Sequence, residues 1–204
     1  EPTPTLGGFL SFFSYWRTSS LAYRKVVIGL LVLTLFKSSD VFLLVRAKEV
    51  GMGDTMVMGI YIFFNLTYAL SAYPLGMFAD KIGLKTVFIV GLFFFAAVYA
   101  GMAVVTDPSH FIGLFFLCGL YAAATEGVAK AWITTLSNKE EMATAIGTFS
   151  GMHSICALLA SSLTGIIWFS LGARMAFSIA GFATLVVGVY FYRLPRPVGP
   201  NGAA

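Results

Sequence analysis

The sequence predicts an all-α membrane protein, a bundle of six transmembrane helices arranged as two inverted three-helix repeats. Three observations carry this. Of 204 residues, 58% are hydrophobic and only 11% are charged, with a mean hydropathy of +0.87; soluble domains carry about 25% charged residues. The apolar residues fall in blocks long enough to cross a bilayer, which takes about 20. Segments 74–91 and 163–181 match when offset by 89 positions, pairing Gly76 with Gly165, Gly83 with Gly172, Lys85 with Arg174 and Phe88 with Phe177. Glycines and small residues inside the blocks suit close helix packing. The period-2 alternation of a membrane barrel is absent.

Six spans are expected at 26–45, 55–79, 85–105, 110–136, 142–169 and 174–193. The matched segments join spans two to three and five to six. The repeat unit is therefore three spans, and an odd number inverts the second copy, an arrangement found in secondary transporters. Residues 1–24, opening on "EPTPTLGG", read as a cytoplasmic linker, 25–194 as the transmembrane domain and 195–204 as a disordered tail. The linker-like start suggests that these residues belong to a longer chain.

Six spans place both termini on one side. With that side cytoplasmic, Arg17, Arg24, Lys25, Lys81, Lys85, Lys139, Arg193 and Arg196 lie inside, and Arg46, Lys48 and Arg174 outside, as the positive-inside rule requires. The hairpin "GMFADKIGLK" (76–85) is then cytoplasmic. Gly76 and Gly83 would allow a tight turn and close helix approach. Asp80 could pair with Lys85 or a helix terminus. With Lys81, these residues form either a conformational latch or a solvated turn.

Span one carries "KSSD". Lys37 lies twelve residues past Lys25, about 18 Å into the bilayer at 1.5 Å per residue. A charge there costs roughly 2.5–3.5 kcal/mol on insertion scales. Lys37 and Asp40 share a face, so they either line a substrate or proton site or neutralise each other. A carboxylate shielded from water takes up a proton more readily than one in bulk water. The two serines suggest a water-accessible cavity. Glu126 and Lys130, four apart on span four, suit a helical ion pair that could close a gate. Under the 89-residue offset Lys37 corresponds to Glu126. Tyr61, Asn65 and Tyr68 form a stripe on span two that would face a cavity, and Pro74 would bend that helix. On span five, His153 is either a cavity residue or a buried, hydrogen-bonded one. Met152, His153 and Cys156 are ligand types suited to copper or another transition metal.

There is no P-loop, no hydrolase motif and no basic cluster with interleaved aromatics for nucleic acid. Both cysteines fall inside spans, which disfavours a disulfide framework. Neither enzymatic activity nor a cofactor is expected.

"GMFADKIGLK" resembles the loop signature G-x-x-x-D-[RK]-x-G-x-[RK] of the major facilitator superfamily. "KSSDVFLLVRA" and "TEGVAKAWITTL" are similar to segments of spans 7 and 10 of bacterial members, and "LSFFSYWRTSSLAYRK" to the segment preceding span 7. The resemblance implies the C-terminal six-helix half of a twelve-helix secondary transporter. The partner would be an N-terminal six-helix half, supplied by the same gene product, a separate chain or a homodimer mate. It further implies alternating access, proton coupling, a small-molecule substrate and a bacterial inner membrane. The alternatives are a transition-metal transporter of the same superfamily and a non-transporting scaffold subunit.

Overall fold

In a computed structural model, residues 15–195 are described, and they form α1 Leu21–Phe36, α2 Asp40–Glu49, α3 Asp54–Ile82, α4 Leu84–Val104, α5 Pro108–Thr135 and α6 Met142–Arg193. α1 with α2, and each of α3 to α6, are long and apolar enough to cross a membrane. α6 bends at Gly172 (φ 81°, ψ 166°) into limbs 142–171 and 173–193, so six spans result. Most of the expected linker and tail, residues 1–14 and 196–204, lies outside the described residues. The segment just before the first span is packed: Tyr15 and Tyr23 are buried, and the Tyr23 hydroxyl donates to the Ala145 carbonyl at 2.8 Å.

Span one differs from the continuous helix expected over 26–45. Helical geometry stops at Lys37, whose N–H is shared between the carbonyls of Leu33 and Thr34. It restarts at Asp40, with Ser39 as the cap that accepts from the Val41 N–H. Serine hydroxyls compete for backbone groups and favour such caps over helix interiors, which is why the break falls on the serine pair.

The hairpin 76–85 is tighter than a loop. α3 runs through Ile82, Gly83 alone reverses the chain with φ 97°, and α4 begins at Leu84. That backbone region favours glycine. Gly76, expected to serve the same turn, lies inside α3 with nothing within 4 Å of where a Cβ would stand, so it makes no close approach among the described residues. Asp80 and Lys85 do not pair. Lys85 Nζ donates instead to the carbonyls of Tyr192, at 2.9 Å, and Leu194, because the end of α6 leaves unsatisfied carbonyls beside it. Asp80 makes no ion pair among the described residues.

The repeat is visible in the contacts. Gly83 and Gly172, one offset apart, both hold positive φ at the breaks between spans. Lys85 reaches the Tyr192 carbonyl, and Arg174 Nε reaches the Ala103 carbonyl at 3.2 Å. Adding 89 to 85 and to 103 gives 174 and 192, so each contact is the other with the repeats exchanged. The packing of Gly181 against Tyr99 and of Gly188 against Leu92 is related in the same way. Two apolar clusters fill the bundle. One, around Tyr23, Phe88, Trp132 and Phe191, lies toward the end bearing the termini. The other, around Phe95, Tyr99, Phe115 and Phe177, lies toward the opposite end.

Candidate functional site

A cavity of about 310 Å³ lies between α1, α5 and the first limb of α6, with Phe88 of α4 in its wall. Four charged or titratable residues singled out in the sequence meet there: Lys37, Glu126, Lys130 and His153. The break in span one delivers Lys37. Its ammonium lies 3.7 Å from a Glu126 carboxylate oxygen and 5.4 Å from the centre of the Tyr121 ring, a cation–π arrangement.

Two sequence expectations are corrected here. Glu126 pairs with Lys37 across helices and not with Lys130 on its own helix. Lys130 makes no ion pair or hydrogen bond among the described residues. Lys37 likewise pairs with Glu126 and not with Asp40, although the Asp40 carboxylate is near enough to act on it electrostatically. Asp40 opens α2, where the partial positive charge of a helix start stabilises it.

Lys37 and Glu126 are also corresponding positions of the two repeats. Their contact exchanges with itself under the 89-residue offset, so it lies across the pseudo-two-fold relation between the halves of the bundle.

The break is pinned from behind. Tyr99, almost wholly buried, places its hydroxyl 2.6 Å from the Ser38 hydroxyl. No local pattern marks this contact, which joins residues 61 apart. Tyr121 and Thr125, two turns and one turn before Ala129 on the inner face of α5, were also unmarked. Their four-residue spacing, which continues to Ala129, was the available trace of that face.

Other candidates lie elsewhere. Tyr61 and Asn65 are exposed; Asn65 donates to the Tyr61 carbonyl of its own helix at 2.8 Å, and neither lines the 310 Å³ cavity. Tyr68 sits beside Glu126 and, with Gly76 and Asp80, lines a second cavity of about 190 Å³. Lys81 is exposed at the end of α3. His153 packs its ring on Phe149, 5.6 Å between centres. Met152 and Cys156 do not line the cavity His153 faces, since the helical turn directs them to another face. No group of three or more His, Cys, Asp or Glu converges among the described residues, so nothing in the geometry favours a metal centre.

Comparison with known proteins gives a consistent result. The family model described as Major Facilitator Superfamily matches residues 26–204. An uncharacterised MFS-type transporter of Methanocaldococcus jannaschii is 30% identical over 164 residues, covering 78% of this chain and 41% of that protein. An MFS-type transporter of Gibberella moniliformis is 26% identical over 174 residues, covering 76% of this chain and 38% of that protein. The chain thus spans about two fifths of the curated relatives it matches.

Proposed function

Because the chain belongs to the major facilitator superfamily, we propose that it forms one six-helix half of a secondary active transporter that moves a small solute by alternating access. The family points to a transporter and not an enzyme. The observation that carries the reading is the Lys37–Glu126 pair, set at a helix break and facing a cavity. Discontinuous spans that present charged groups near mid-membrane are how many secondary transporters build their sites, and ionisable residues at that depth are functional by default.

A second six-helix body, with the bilayer around both, completes the cavity. The exposed side chains of α3 and of the first limb of α6, among them Ile62, Leu66, Leu70, Leu158 and Ile166, supply apolar surface for that body and for lipid. The end bearing the termini and the Gly83 turn faces the cytoplasm, since most Lys and Arg outside the spans gather there. Opening the cavity to one side separates Lys37 from Glu126 and leaves the Glu126 carboxylate, or the Asp40 carboxylate acting on the same ammonium, open to a proton. Proton uptake is in this way tied to the change of access.

The test uses the full-length gene product in vesicles loaded with pyranine. An imposed pH gradient drives accumulation of a transported solute, and solute addition moves protons. Glu126→Gln and Asp40→Asn are each assayed for uphill uptake and for exchange at equilibrium. Loss of uphill uptake with exchange retained, in either variant, is expected. Normal uphill uptake in both removes the coupling role, and failure of every solute class to cross removes the transport reading.

A further inference from the structure

Resting on that transport reading, we infer that the solute is an organic anion with a compact apolar body, and that Lys130 holds its acidic head group. The cavity carries an imbalance of charge. Lys37 is satisfied by Glu126 at 3.7 Å, with Asp40 also acting on it. Lys130 lines the same cavity and makes no ion pair or hydrogen bond among the described residues. Among the described residues His153, on the facing limb of α6, is the third basic group of the lining after Lys37 and Lys130, and Glu126 is its one carboxylate. A cationic solute would meet two ammonium groups and a carboxylate already engaged. An anionic solute would meet a free ammonium.

The rest of the lining suits the remainder of such a molecule. Ser150 stands beside His153 and offers a hydroxyl to a head group, Ser154 donates its own to the Ser150 carbonyl at 3.0 Å, and Leu30, Leu33, Phe88 and Phe149 supply apolar and aromatic wall. Ligand sites of this kind are mostly apolar, with a few polar groups fixing orientation. A lysine ammonium has three donors and no acceptor, so it recognises a carboxylate or sulfonate head and gives nothing to a quaternary ammonium. The cavity volume, about 310 Å³, fits one aromatic ring with its head group.

Three probes share one ring and differ in charge: benzenesulfonate, benzyltrimethylammonium and benzyl alcohol. Binding to the purified full-length protein is measured by calorimetric titration, and exchange is measured separately by counterflow in vesicles. Benzenesulfonate is expected to bind, and the other two are not. Lys130→Ala should weaken benzenesulfonate binding about tenfold, the loss of one charge-assisted contact, and Lys130→Arg should restore it. Tighter binding of benzyltrimethylammonium, no binding of benzenesulfonate, or binding indifferent to Lys130→Ala in a protein that retains its elution profile would overturn the assignment. The two readings fail differently: benzenesulfonate that binds but never exchanges keeps the anion site and sinks transport, and exchange of the cation alone does the reverse.

Discussion

Replacing Lys37 and Glu126, singly and together, isolates their pair from everything else each residue does. Two unit charges 3.7 Å apart attract by about 4–5 kcal/mol at an effective dielectric of about 20. The Glu126 side chain is 49% exposed and that of Lys37 26%, so solvent screening lowers the net value to about 1 kcal/mol. The single variants do not report this number. Lys37→Met also abolishes the contact with Tyr121, worth about 1 kcal/mol, and relieves part of the cost of holding a charge at membrane depth, so its net effect mixes opposed contributions. Glu126→Gln leaves the ammonium with only the more distant Asp40 and is expected to destabilise by about 1 kcal/mol. The interaction term of the four-protein cycle removes these private contributions. Unfolding in mixed micelles with rising dodecyl sulfate, followed by circular dichroism, should give a coupling of about 1 kcal/mol. A coupling below about 0.3 kcal/mol, within ordinary additivity, would mean that the two charges do not depend on one another and that the argument for a charged gate has lost its basis. The exchanged pair, Lys37→Glu with Glu126→Lys, should recover part of the coupling, because the contact maps onto itself between repeats. It should not recover all of it, because the position corresponding to Tyr121 is Val32, which offers no ring.

Three further outcomes are expected. Gly172→Ala places a side chain at φ 81°, ψ 166° with open space around it, so in the same unfolding assay the backbone alone should cost about 1–3 kcal/mol, whereas Gly76→Ala, in a helix with equal room, should be neutral or slightly stabilising. Tyr99→Phe removes the contact with Ser38 behind the helix break and should destabilise by about 1 kcal/mol; hydrogen exchange across 37–40 should quicken, and unchanged exchange would show that the break stands without it. Asp107 caps α5, and hydrogen bonds from the Ser109 backbone and hydroxyl hold its carboxyl below the usual carboxylate range. A lowered value stabilises the fold above the unfolded-state titration and is lost as pH falls through it, so the gap in melting midpoint between wild type and Asp107→Ala should be present at pH 7 and shrink in acid; a gap that grows in acid would reverse the assignment.

Much of the architecture could be read from the sequence because burial in lipid leaves a coarse mark. The six spans follow from apolar length alone, and the offset between Gly83 and Gly172 identified both turns, since each needs a conformation that only glycine holds cheaply. The residues of the cavity were legible for the same reason: Lys37, Glu126 and His153 are costly where they stand. What could not be read was their pairing. Helical spacing proposes partners three or four residues away, so Glu126 suggested Lys130 and Lys37 suggested Asp40, while the true contact joins two helices whose separation in sequence says nothing of their distance in space. Tyr99 escaped notice because an aromatic residue in a membrane helix is ordinary until the hydroxyl it meets is known. The stripe Tyr61, Asn65 and Tyr68 has the right period for a cavity wall, but period does not say which of two neighbouring faces the cavity occupies.

The paired bonds from Lys85 to the end of α6 and from Arg174 to the end of α4 have a mechanical consequence. The two helices run antiparallel, and the bonds sit at opposite ends of their shared seam, like bolts at the two corners of a plate. If either helix slides along the other, in either direction, both bonds are strained at once. α4 and the second limb of α6 are therefore fastened into a keel that resists shear. The broken first span is fastened to the same two helices on both sides of its break, by the Tyr190 hydroxyl to the Lys25 carbonyl at 2.9 Å and by Arg46 to the carbonyls of Met102 and Val105, so any swing about Lys37, Ser38 and Ser39 has to work against the keel.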